Sequence, residues 1–220
     1  MKRLLLAGAA ALTLCLGASA CGSIDPDAAV VNGTRTSVRD FESLLTDLRS
    51  AGATGLGVAG GAVPAERARQ LLSTVVILDL LHDEFGGRGL TVDATATQSA
   101  TTATPQVFNV DAAAWGKLPN ATQDEWARKT AEYLALKTSL TGPAPTEEQV
   151  AAFYEQHKSE MNGASLDEMR AQITDYLQGL SSNDWLQKAL ASAVVKVNPR
   201  YGAWDPAKGV IAVAAPTSTR

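Results

Sequence analysis

The sequence predicts a mainly α-helical domain in which a small β element joins the N- and C-terminal ends. Three observations carry that expectation. Apolar residues recur at helical spacing in six separate stretches between residues 38 and 193. Residues suited to capping stand directly before several of these stretches. Residues of β character are confined to the two ends, at Val30-Val31 and at 194–197 and 210–213. The alternation of strand and helix that builds a two-lobed binding protein is missing.

Composition sets the scale of the core. The chain has 220 residues, 45% of them hydrophobic, but 38 are alanine, so the core must rest on Ala-rich helices and a few large side chains. Its formal net charge of -4 argues against a nucleic-acid partner, which requires a basic face to neutralise phosphates.

The first twenty residues read as an export signal. Lys2 and Arg3 precede an uncharged run over 4–16, followed by Gly17, Ala18, Ser19, Ala20 and Cys21. That run is too short for a membrane span, which needs about 20 apolar residues. Small residues ahead of Cys21 resemble the lipobox of bacterial lipoproteins, although Ala18 stands where such boxes more often carry Leu. The resemblance implies removal of 1–20, lipid attachment at Cys21 and a tether over 21–29. Ala18-Ser19-Ala20 also fits ordinary secretory cleavage, which would leave Cys21 as a free N-terminal thiol. Cys15 lies in the discarded segment, so the mature chain holds one Cys and no internal disulfide. It also holds 17 basic and 23 acidic residues, a charge of -6 that offers no attraction to an anionic bilayer. Acyl chains, not a basic patch, would hold it at the extracytoplasmic face of the cell membrane.

The domain proper is expected over 30–215. Asn32-Gly33 is a turn signal, and Ser37 is placed to cap a helix over 38–49 whose apolar face is Phe41, Leu44, Leu45 and Leu48. A Gly/Ala-rich loop over 50–63 follows, and Pro64 opens a second helix. Residues 71–81 are apolar nearly all round, which marks that helix as central, with an expected stop at Gly86-Gly87. The Thr/Ala-rich segment 94–120 has no clear period and is expected to be an irregular insertion. Three capping boxes, Thr122/Glu125, Thr146/Gln149 and Ser165/Glu168, mark three further helix starts, and a last helix is expected over 183–193.

Three segments resemble the N-terminal chaperone module of the SurA and PrsA class of exported foldases. They are Val30-Val31-Asn32-Gly33-Thr34-Arg35-Thr36-Ser37-Val38-Arg39-Asp40-Phe41, the helix Thr146-Glu147-Glu148-Gln149-Val150-Ala151-Ala152-Phe153-Tyr154-Glu155-Gln156-His157-Lys158, and Val195-Lys196-Val197-Asn198-Pro199-Arg200-Tyr201-Gly202-Ala203-Trp204-Asp205. The last is similar to the closing strand and tail of actinobacterial members. The resemblance implies a membrane-anchored, ATP-independent chaperone-like lipoprotein that binds unfolded exported polypeptides. In that class a parvulin isomerase domain commonly follows the helix that 146–158 resembles, in which the family carries Tyr-Tyr where this chain has Phe153-Tyr154. Here Met161 is followed at once by Asn162-Gly163-Ala164 and the next capped helix, which leaves no room for a domain of on the order of a hundred residues. No isomerase activity, and no enzymatic activity of any kind, is expected. The alternative is a cell-envelope scaffold lipoprotein that docks one folded partner.

Other motifs yield to plainer accounts. Gly55-Leu56-Gly57-Val58-Ala59-Gly60 spells a dinucleotide fingerprint, but a helix precedes it where a strand is required, so a flexible loop is expected and no cofactor. Asp79, His82 and Asp83 share a helix surface without a second ligand-bearing segment, so no metal is expected. A chaperone without ATP needs exposed apolar side chains, and Phe108, Trp115, Tyr201 and Trp204 are the client-binding candidates; the competing account packs them as local core.

Overall fold

A computed structural model describes residues 26–57 and 62–214. The signal, Cys21 and most of the tether therefore lie outside the described residues. Strand β1 (Asp27–Val31) begins inside the expected tether, and Arg35 grips its first residue, Asp27, with two hydrogen bonds of 2.9 and 2.8 Å.

Asn32, with φ of 49°, and Gly33, with φ of 101°, turn the chain from β1 into β2 (Thr34–Ser37). β1 also pairs antiparallel with β3 (Val195–Val197), Ala29 opposite Val197 and Val31 opposite Val195. The two ends of the domain thus meet in a sheet of order β2-β1-β3, as the distribution of β residues predicts. The second C-terminal β run behaves differently. β5 (Val210–Ala212) pairs with β4 (Ala203–Asp205) in a separate hairpin lying on the central helix, where the Ile211 N–H donates to Ser73 Oγ at 2.8 Å.

Helix α1 (Val38–Ser50) is capped by Ser37 and buries the four residues expected. Helix α2 (Ala65–Gly87) is buried on nearly every side against β1, β5 and the helices described below. Its end differs from expectation: Gly86 and Gly87 stay helical, Arg88 follows in the right-handed region, and the left-handed residue is Gly89, with φ of 63°.

The segment 94–120 is not irregular. It forms α3 (Ala94–Val107) and the short α4 (Ala112–Trp115), each capped by an aspartate: Ala96 N–H donates to Asp93 at 2.6 Å and Ala114 N–H to Asp111 at 2.7 Å. Threonines in α3 bond back to carbonyls one turn earlier, Thr97 to Asp93 and Thr104 to Ala100, which satisfies hydroxyls that would otherwise compete with the helix. The buried face is Ala100, Thr104 and Pro105, small enough for close approach to the next helix but nearly invisible as a hydrophobic period.

That next helix, α5 (Asn120–Leu140), starts two residues before Thr122, with Pro119 at the cap position, so Thr122/Glu125 is not a capping box. The other two boxes form as expected, opening α6 (Glu147–His157) and α7 (Leu166–Ser192). α7 absorbs both of the last expected helices. Gly179 and Ser181-Ser182 do not break it; Ser182 Oγ donates back to the Gly179 carbonyl at 2.8 Å within the helix.

The packing divides into a body and an arm. The body core is built on α1, α2, the sheet, the α3–α4 segment and the last turns of α7. α6 and the first half of α7 form an antiparallel pair with a separate small core of Val150, Tyr154 and Ile173. A 3₁₀ turn (Lys158–Glu160) and left-handed Asn162 and Gly163 make the tight connection between them.

Candidate functional site

The arm carries an apolar groove that remains open to solvent. On α6, Gln149, Ala152, Phe153 and Gln156 follow one another at i, i+3, i+4 and i+7 and so share a face. Leu177, Leu180 and Ser181 of α7 form the opposite wall, and Pro143-Ala144-Pro145 of the α5–α6 connection closes one end. The groove has a volume of about 440 Å³, and no charged residue lines it. Two of the five large apolar residues most exposed among the described residues belong to this region, Leu180 at 38% and Tyr176 at 51%. Phe153 stacks on His157 at 4.4 Å and leans on Tyr176 at 5.2 Å, so the rim is aromatic as well as aliphatic. The connection is held to α7 by the Gly142 N–H, which donates to the Gln178 carbonyl at 3.3 Å.

A second concavity of about 270 Å³ lies between the β1–β2 hairpin, α1, α2 and α5, and it is polar. At its base the Lys129 ammonium stands 2.6 Å from Asp79, which also accepts from the Thr36 hydroxyl at 3.0 Å. Asp79 is 1% exposed, and the Lys129 ammonium sits over the Trp126 ring at 4.6 Å. One turn along, His82 Nδ1 is 2.7 Å from Glu132, whose other oxygen accepts from Arg128 at 2.5 Å, and Asp83 accepts from Thr34 at 3.2 Å. Asp79, His82 and Asp83 thus point to three different partners and fasten α2 to α5 and to β2. Among the described residues no group of His, Cys, Asp and Glu converges as a metal site.

The four aromatic client-binding candidates do not form a surface. Phe108 is 1% exposed and meets Trp115 and Trp126 at 5.1 Å each, which places it and Trp115 in the body core. The reason is compositional: in a segment rich in Ala and Thr, these two rings, with Val110 and Leu118, are the large apolar side chains that dock it. Trp204, in β4, is half-buried against the same core, with its indole nitrogen sealed from solvent and unpartnered. Tyr201 is buried edge-on against Phe41 at 5.2 Å and donates to Glu42 at 2.9 Å.

Burial, reinforced by the hydrogen bond to Glu42, pushes the Tyr201 phenol from 10.0 up to about 12. A phenol whose pKa is raised on folding favours the native state fully below its unfolded value and loses that contribution as pH climbs through the folded one. Thermal stability is therefore expected to fall between pH 10 and pH 12, with a late tyrosinate absorbance step that Tyr201→Phe removes.

The first glycine of the G-x-G-x-x-G string has a packing role. Gly55 sits in a 3₁₀ turn (Thr54–Leu56) pressed against the Asn109 carbonyl, where a Cβ would collide with backbone. Arg67 donates to the Phe108 and Asn109 carbonyls at 2.6 and 2.8 Å, so the glycine and the arginine pin the same bend. Residues 58–60 of the string lie outside the described residues.

Neither the arm groove nor the Asp79–Lys129 pair stands out in the sequence. The groove face of α6 carries one large apolar residue and is offset from the stronger Val150, Tyr154 row that forms the arm core. Lys129 and Asp79 are 50 positions apart and look like ordinary surface charges; the one available signal is that Asp79 interrupts an otherwise apolar helix. No protein-family model, curated protein or solved structure matches the chain.

Proposed function

We propose that the protein is an extracytoplasmic, membrane-anchored, ATP-independent chaperone-like lipoprotein that binds unfolded exported polypeptides and has no isomerase activity. The observation that supports this reading best is the uncharged, solvent-open apolar groove on an arm whose own core is separate from the body. Holding an unfolded chain without an energy source requires shallow apolar contact that forms and dissolves readily, and a fully buried cavity would not provide it. The placement also favours reversible capture: a client on the arm leaves the body core undisturbed. The lipobox-like segment and the resemblance of three segments to the SurA and PrsA chaperone module point the same way. The anchor in this reading is the lipid on Cys21; among the described residues no helix is long and apolar enough to cross a membrane.

The test is light scattering from a heat-denatured enzyme. The mature chain is expected to suppress its aggregation near stoichiometric ratios, and Leu180→Glu, at an exposed helical position, is expected to lose at least half of that suppression with an unchanged melting temperature. In fractionated cells Cys21→Ser is expected to leave the membrane fraction. Absence of suppression by the wild-type chain, together with stoichiometric crosslinking to one folded envelope protein, would replace this reading by the scaffold one.

A further inference from the structure

Resting on the chaperone reading, we infer that the arm groove selects short uncharged segments, about three to four residues in extended conformation, and discriminates against any charge at their centre. The length follows from geometry. The α6 wall runs from Gln149 to Gln156, seven helical steps or roughly 10 Å, and an extended chain advances about 3.3 Å per residue.

Charge selection follows from the lining. The apolar surface comes from Pro143, Pro145, Phe153, Leu177 and Leu180, while the polar groups are neutral amides and a hydroxyl. Gln149 accepts the Thr146 N–H through Oε1 at 2.8 Å, and its amide nitrogen makes no hydrogen bond among the described residues. Gln156 makes no side-chain hydrogen bond among them either, so two amide groups remain to meet the backbone of a bound segment. A charged side chain entering this groove would give up water and find no counter-charge, a cost that neutral side chains escape. The charges nearby include Glu148 and Glu155 on α6, the latter paired with Lys158 at 3.3 Å, and Asp175 and Asp184 on α7; all are exposed and none lines the groove. On a chain of net charge -4, the groove is a neutral strip in an acidic surroundings, suited to apolar stretches of polypeptide and unsuited to acidic ones.

The experiment uses the mature chain and fluorescently labelled seven-residue peptides, read by anisotropy. One peptide has an uncharged apolar centre; two others carry Lys or Asp at the central position. The neutral peptide is expected to bind at least tenfold more tightly than either charged one, with a Kd that changes less than twofold between 50 and 500 mM salt. Ser181→Glu, at an exposed position on the groove wall, is expected to weaken the neutral peptide at least fivefold while improving the Lys peptide, a reversal that misfolding could not produce. Equal binding of all three peptides, or a tenfold loss of neutral-peptide affinity in salt, would overturn the inference even where aggregation is suppressed. A concentration-dependent dimer abolished by Leu180→Glu would overturn it too, assigning the groove to a second copy. If the wild-type chain binds no peptide and suppresses no aggregation, the chaperone reading itself falls.

Discussion

Lys129→Met is expected to destabilise the domain by about 3–5 kcal/mol, the range for removing one partner of a buried ion pair. Asp79 is 1% exposed, and the Thr36 hydroxyl would be its one remaining partner among the described residues. A carboxylate in that position cannot be left to water, so the loss falls on the packing of α2 against α5 and β2. The double variant Asp79→Leu/Lys129→Met is the informative control. With both charges replaced by apolar groups of similar volume, its urea midpoint is expected within about 1–2 kcal/mol of wild type, since a buried pair contributes little beyond offsetting its own desolvation. A Lys129→Met midpoint indistinguishable from wild type would mean that water reaches Asp79 through the polar cleft. Because Thr36 belongs to the strand that begins the three-stranded sheet, hydrogen exchange is expected to rise first in β2.

How far such features can be read from sequence depends on the distance over which they are specified. Ser37, Thr146 and Ser165 announce helix starts because cap and helix are contiguous, and Asn32-Gly33 announces a turn for the same reason. The meeting of the two ends is legible from the placement of β residues alone, since short strands at the ends of a helical chain have few other partners. α3 escapes because its buried face is Ala100, Thr104 and Pro105: the physics there is close approach of small residues, and a hydrophobic period registers only large ones. The break expected near residue 180 fails for a related reason, as Gly179 and two serines weaken a helix by an amount that packing at either end outweighs. The arm groove is the hardest to see. It is assembled from the weaker face of α6, a stretch of α7 and a proline-rich connection, each unremarkable until the chain folds back at Asn162-Gly163.

Phe108→Ala is the second substitution with a large expected effect, about 3–5 kcal/mol of lost stability. The ring is 1% exposed between Trp115 and Trp126, and truncation opens a cavity where α3, α4 and α5 converge. The bend beyond it cannot collapse to fill that space, because Arg67 holds the Phe108 and Asn109 carbonyls and Gly55 abuts the Asn109 carbonyl from the other side. The variant separates two roles that sequence alone leaves open for this residue. If Phe108 packs the core, the variant melts at a markedly lower temperature yet suppresses client aggregation as wild type does at any temperature where it remains folded. If it touches clients, suppression weakens while the melting temperature holds. Deleting 94–120 would not make this distinction, since it removes α3 and α4 together with the first residue of α5 and strips the body of the helix that covers it. Leu180→Glu should show the opposite pattern to Phe108→Ala, with stability kept and suppression lost, and that crossing of two variants is what would assign client binding to the arm and not to the aromatic cluster of the body.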